Sequence, residues 1–157
     1  MRGDYLSFVQ RKLSTVPPTG IEGNFTLPSS LFGFQSALAS WSLRRGRSAI
    51  FADTGLGKSR MQSAWANAVR SHTKRPVLIL APLAVAAQTV AEAAQLDIQM
   101  AYCRDQSEAK GSGIVITNYD RLHRFDPEAY GGVVLDESSI IKHHDAKTLR
   151  TLLEAFR

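Results

Sequence analysis

Residues Ala52 to Ser59 read Ala-Asp-Thr-Gly-Leu-Gly-Lys-Ser, directly after the apolar run Ala49, Ile50 and Phe51 and directly before a segment of helical periodicity. A strand, a glycine-rich loop and a helix in that order commit a chain to an α/β architecture, because the strand needs parallel neighbours and the helix must cover them. The loop has the spacing that cradles the phosphates of a nucleoside triphosphate, with one departure: Ala52 stands where the strict pattern has glycine. Successive backbone N–H groups at a helix start form a concave site for a chain of negative charges. Thr54, Gly55, Leu56 and Gly57 are therefore the expected cradle. Gly55 and Gly57 let the backbone approach without a Cβ, Lys58 neutralises the β- and γ-oxygens, and the Ser59 hydroxyl is placed to sit on Mg2+.

The residues after the loop predict an amphipathic helix. Met61, Ala64, Trp65, Ala68 and Val69 recur at intervals of three and four and form a buried stripe, leaving Gln62, Asn67 and Arg70 toward water. Trp65 is read as core. Farther on, Val133, Val134 and Leu135 form a short strand that ends in Asp136-Glu137-Ser138-Ser139. In phosphoryl transfer an acidic residue at such a strand end holds the metal, and a neighbouring carboxylate orients or deprotonates the attacking water. Asp136 is the candidate metal-side residue and Glu137 the candidate base.

A chain of 157 residues, 44% hydrophobic and 21% charged, holds one domain with a sizeable core and is neither disordered nor membrane-spanning. Its longest apolar stretches, Val77 to Ala87 and Gly131 to Leu135, are too short to cross a bilayer, and no signal-peptide apolar core begins the chain. Cys103 is the single cysteine and is read as a small core residue, which favours a cytoplasmic setting. The net charge of +5 is uneven: residues 1–60 carry eight Lys/Arg against three Asp/Glu, and residues 61–157 carry eleven of each. Arg44, Arg45 and Arg47 are the densest basic cluster. They suit contact with nucleic-acid phosphate, and they equally suit the C-terminal dipole of a helix over Ser36 to Leu43 that stops at Gly46.

Strands alternate with helices along the chain. Asp4 to Leu13 predicts a short amphipathic helix, Ser14 to Ser30 a connecting loop, and Gly33 to Leu43 a helix leading into the strand before the phosphate loop. Further strands are expected at Val77 to Leu80, Ile98 to Tyr102, Ile114 to Thr117 and Val133 to Leu135, with an Ala-rich helix at Val85 to Leu96. The expected fold class is α/β, a parallel sheet with helices on both faces. Adjacent His143 and His144 diverge in direction and lack a spaced partner, so with Lys142 they are read as a solvated loop; His72 and His123 are read as surface residues. Asp145 is placed to cap a last helix whose apolar face is Leu149, Leu152, Leu153 and Phe156.

The ordered set Phe34-Gln35, Ala52 to Ser59, Leu80-Ala-Pro-Leu83 with Gln88, Ile116-Thr-Asn-Tyr119 and Asp136 to Ser139 resembles the first RecA-like domain of superfamily 2 helicases and translocases. The closest likeness is to the DEAD-like and chromatin-remodeller-like ATPases carried by bacteriophages and prophages. The resemblance implies a P-loop NTPase fold with ATP and Mg2+ as cofactors, divided into an N-terminal helix and loop (residues 1–30) and a partial RecA-like ATP-binding domain (residues 31–157). It implies adenine reading by Gln35, with Phe32 or Phe34 as a stacking surface. Core packing is the alternative for those rings, and it is expected of at least one. It further implies nucleic-acid backbone contacts by Pro82, Leu83, Thr117, Asn118 and Tyr119, and metal and water-activating roles for Asp136 and Glu137. The nucleic acid is expected to be DNA rather than RNA, and the setting a bacterial or phage-infected cytoplasm. The Ser138-Ser139 tail departs from the family's Ala-Asp or Ala-His, which bears on coupling between the two sites.

Members of that family continue with a Ser/Thr-Ala/Gly-Thr strand and a second RecA-like domain bearing an arginine finger, so the resemblance implies a domain truncated before the strand that follows the Asp-Glu motif. A gap is then expected between the phosphate-loop strand and the Asp-Glu strand, or a different pairing of the two. Three functions fit. They are the ATP-binding module of a DNA helicase or translocase, weakly active alone and completed by a second domain or chain, a nucleotide- or nucleic-acid-binding module without turnover, and a non-functional remnant.

Overall fold

Val77-Leu-Ile-Leu80 and Ile114-Val-Ile-Thr117 are short runs with nothing but apolar side chains until Thr117, and such runs are stable as strands only when both faces are covered. They form the middle of the molecule. The computed structural model describes residues 17–137, with α1 (Gly33–Arg45), α2 (Lys58–Thr73), β1 (Val77–Leu80), α3 (Leu83–Ala94), β2 (Ala101–Tyr102), β3 (Ile114–Thr117), two 3-10 helices (Tyr119–Arg124 and Pro127–Ala129) and β4 (Gly132–Leu135). The helix expected over Asp4 to Leu13, Ser138 and Ser139, Lys142 to His144 and the last helix from Asp145 lie outside the described residues.

The four strands are all parallel in the order β2-β3-β1-β4. Val77 registers with Ile114 on one side and Gly132 on the other, and Leu80 with Thr117 and Leu135. Alternation across the pleat divides the core in two. Val77, Ile79, Ile114 and Ile116 face the layer that holds Ala64, Ala68 and Val69 of α2 and Ala86 and Ala93 of α3. Leu78, Leu80 and Val115 face Cys103, Tyr119, Leu122, Phe125 and Tyr130, so that the second face is covered by the 3-10 helices and their flanks. The fold is the expected α/β sheet with helical cover on both faces. Cys103 is buried, and burial pushes its thiol pKa up.

Three expectations are corrected. Ala49 to Phe51 forms no strand, and Phe51 is 95% exposed. An apolar run becomes a strand only where another edge accepts its hydrogen bonds, and β4, whose outer edge is unpaired among the described residues, lies across a cleft from it. The strand expected over Ile98 to Tyr102 is only Ala101–Tyr102. Asp97 takes a left-handed turn (φ 56°), and Ile98 is buried against the core before the strand begins. The Ala-rich helix runs Leu83–Ala94 rather than Val85 to Leu96, since Pro82 sets its start.

Candidate nucleotide site

The loop sequence determines its own backbone. Gly55 (φ 81°) and Gly57 (φ 74°) both take the left-handed region that glycine enters without a Cβ penalty. The Asp53 carboxylate accepts the Thr54 N–H at 2.8 Å, the Asp53 carbonyl accepts the Leu56 N–H, and the Gly57 carbonyl accepts the N–H groups of Arg60 and Met61 as α2 begins. Lys58 turns back on the loop: its Nζ donates to the carbonyls of Ala52 (2.9 Å) and Asp53 (3.3 Å). An ammonium held by two neutral carbonyls is free to exchange them for phosphate oxygens, which are stronger acceptors. Ser59 is half-buried in the first turn of α2, where its carbonyl accepts the Ser63 hydroxyl.

Gln35 lies under the loop rather than on its surface. It is 2% exposed; its Oε1 accepts the Phe32 N–H at 3.1 Å, and its Nε2 donates to the Leu56 carbonyl at 3.0 Å. The amide that resemblance assigns to adenine thus ties the start of α1 to the glycine loop. Phe32 and Phe34 are 68% and 45% exposed and stack on each other, with ring centroids 6.2 Å apart and planes 10° apart. Neither ring is core, which corrects the packing expected of at least one, because the α1 face that carries Gln35 and Ala39 turns inward in their place.

The acidic pair closes the other side. The Asp136 N–H continues the ladder to the Leu80 carbonyl (2.8 Å), Oδ1 accepts the Glu137 N–H (3.1 Å) and Oδ2 accepts Gln62 Nε2 from α2 (3.3 Å). Gln62, expected to face water, is half-buried and orients this carboxylate, a role that helical periodicity alone does not reveal. Each Asp136 oxygen retains a lone pair beyond the bond it accepts, so the carboxylate fits a hard cation such as Mg2+. Glu137 is exposed and left-handed (φ 50°), a costly backbone for a residue with a Cβ. Lys58, Asp136 and Glu137, together with Ala52, Asp53 and Gln62, line one cavity of about 1680 Å³, which also separates residues 46–53 from β4. That cavity lies between the segment leading into the glycine loop and the strand that carries Asp136 and Glu137.

The segments assigned to nucleic acid meet at the C-terminal ends of β1 and β3, where the Ala81 N–H donates to the Thr117 carbonyl at 3.0 Å. Leu83 is 60% exposed and Pro82 half-buried, whereas Thr117 is fully buried. The Thr117 hydroxyl and the Asn118 Oδ1 are buried without a partner among the described residues. Tyr119 is 3% exposed, and its hydroxyl donates to the Asp136 carbonyl at 2.6 Å. Burial first, and then the nearby charges of Asp136 and Glu137, push the Tyr119 phenol pKa well above its ordinary value, so it stays a donor. In the basic cluster, Arg44 and Arg45 lie in the last turn of α1, which Gly46 ends (φ 84°), and the Arg44 guanidinium sits 5.2 Å over the Phe25 ring.

No protein-family model matches the chain, and no curated protein matches it in sequence. Among solved structures it is similar to the UvsW helicase from bacteriophage T4, with a TM-score of 0.68 and 12% identity over 99% of this chain and 56% of that one. It is also similar to the Sulfolobus solfataricus SWI2/SNF2 ATPase core in complex with dsDNA, with a TM-score of 0.67 and 23% identity over 85% of this chain and 31% of that one. The chain thus shares the fold of helicase ATPase cores, and spans little more than half of the first and under a third of the second.

Proposed function

We propose that this chain is the ATP-binding module of an ATP-dependent DNA helicase or translocase core. One observation carries the reading: the phosphate-loop lysine and the Asp136-Glu137 pair, 78 positions apart in sequence, line the same cleft. The triphosphate lies along Thr54 to Ser59, with Lys58 transferring its hydrogen bonds from the Ala52 and Asp53 carbonyls to the β- and γ-oxygens. Ser59 and Asp136 hold Mg2+, which when bound neutralises the phosphate charge. Glu137 orients the attacking water. The stacked, exposed Phe32 and Phe34 lie beside Gln35 and offer an aromatic surface for the base. Pro82, Leu83 and Asn118 provide the nucleic-acid side, with the buried Thr117 holding its segment in the sheet, supported by their meeting at one end of the sheet and by the double-stranded DNA in the Sulfolobus complex. Charge developing on the γ-phosphate is commonly met by an arginine from outside the nucleotide-binding lobe, so hydrolysis at this site is proposed to depend on such an arginine.

The test is a titration of ATP with Mg2+ against the wild-type chain and Lys58→Ala. Affinity is expected to fall at least about tenfold in the variant, the scale of a lost charge-assisted bond; equal affinity would defeat the proposal. Steady-state ATPase measurement with and without DNA then separates a module that turns over from one that only binds.

A further inference from the structure

Tyr119 immediately follows the buried Thr117 and the half-buried Asn118, yet its hydroxyl reaches across to the end of β4. The carbonyl it holds, that of Asp136, belongs to the same peptide unit as the Glu137 N–H, which is itself bonded to Asp136 Oδ1. Fixing both ends of one peptide plane fixes the turn beyond it, and that turn is the left-handed one at Glu137 (φ 50°). An unfavourable backbone persists only where its surroundings over-determine it, and the Tyr119 bond is one such constraint. The Leu80 carbonyl and Gln62 hold the Asp136 amide and carboxylate, so the tyrosine supplies the remaining hold, on the carbonyl.

We propose that Tyr119 is a positioning residue for the acidic pair: through the Asp136 carbonyl it sets where the Asp136 carboxylate and the Glu137 side chain stand at the cleft, and it ties that geometry to the Thr117-Asn118 segment. Its meaning for nucleotide binding rests on the function proposed above, whereas its structural half stands on the ligand-free chain.

Tyr119→Phe removes the hydroxyl and keeps the ring. In the full ligand-free chain, amide hydrogen exchange at Asp136 and Glu137 is expected to accelerate about five- to tenfold, with the amides of β1 and β3 unchanged. Tyr119→Leu, which also removes the ring, is the packing control and is expected to accelerate exchange in the strands as well. No local change in the Phe variant, or a change spread over all strands as in the Leu variant, overturns the proposal. Affinity for a non-hydrolysable ATP analogue with Mg2+ and with chelator supplies the second readout. The gain from Mg2+ is expected to shrink about five- to tenfold in Tyr119→Phe while the chelator value is unchanged. A wild-type Mg2+ gain left intact in the variant overturns the positioning role. Absence of any Mg2+ gain in the wild type instead overturns the proposed nucleotide site, and the exchange result then decides the Tyr119 bond by itself.

Discussion

A Cβ added at Gly57 would stand 2.4 Å from Gln35 Nε2, in a backbone (φ 74°) that residues with side chains seldom adopt, whereas one at Gly55 (φ 81°) would meet nothing within 4 Å. The two loop glycines therefore answer different needs. At Gly55 only the backbone requires glycine; at Gly57 the backbone and the close approach of Gln35 both do. Gly55→Ala is expected to cost about 1–2 kcal/mol, the penalty of the left-handed region. Gly57→Ala adds displacement of the Gln35 amide from the Leu56 carbonyl, on the order of 1 kcal/mol more for the lost bond. Denaturant unfolding of the two variants checks the order, and equal losses would show that Gln35 yields freely. The pattern of glycines was legible in the sequence. The role of Gln35 as a buttress was not: its bond from Phe32 is local to the start of α1, but its partner at Leu56, 21 positions away, becomes a neighbour only when α1 packs beside the loop.

At the level of elements, β1 is the pivot. It pairs β3 and β4 on its two sides, and all its residues are fully buried, while β4 at the edge is half-buried over residues 132–134 and exposed at Leu135. Ile79→Ala is thus expected to destabilise the chain by about 2–5 kcal/mol through lost burial and a cavity, and Val134→Ala, its register partner on the edge, by distinctly less. Urea midpoints measure both, and an equal cost would mean that the edge is covered in solution. Helix α2 shows how an element makes contacts beyond those its pattern announces. Periodicity finds the stripe through Met61, Ala64, Ala68 and Val69, with Trp65, expected in the core, only partly buried against it, yet Gln62, on the face assigned to water, reaches Asp136 74 positions away. The 3.6-residue period reports which side is apolar; what stands opposite the polar side depends on the sheet.

For the whole molecule, alkaline pH probes the second core, where two phenols are buried on the same face of the sheet. Burial raises the Tyr130 hydroxyl pKa to about 12 and pushes that of Tyr119 up as well. In the unfolded chain both ionise near pH ~10. The folded state binds more protons above that value, so their contribution to stability is complete below pH ~10 and is lost as pH rises through the folded pKa values. Melting temperature is expected to fall across that window in step with tyrosinate absorbance; a flat profile would contradict the burial. The sequence by itself determined the α/β class, the buried parallel strands at Val77–Leu80 and Ile114–Thr117, and the glycine-loop turn, because burial pattern, glycine and helix start are local matters of sterics and solvent. It did not determine that Ala49 to Phe51 stays unpaired, that a cavity opens beside β4, or that Tyr119 and Gln62 converge on Asp136. Pairing, cavities and long-range hydrogen bonds depend on which edges and side chains the packed sheet brings within reach, and only the tertiary structure decides that.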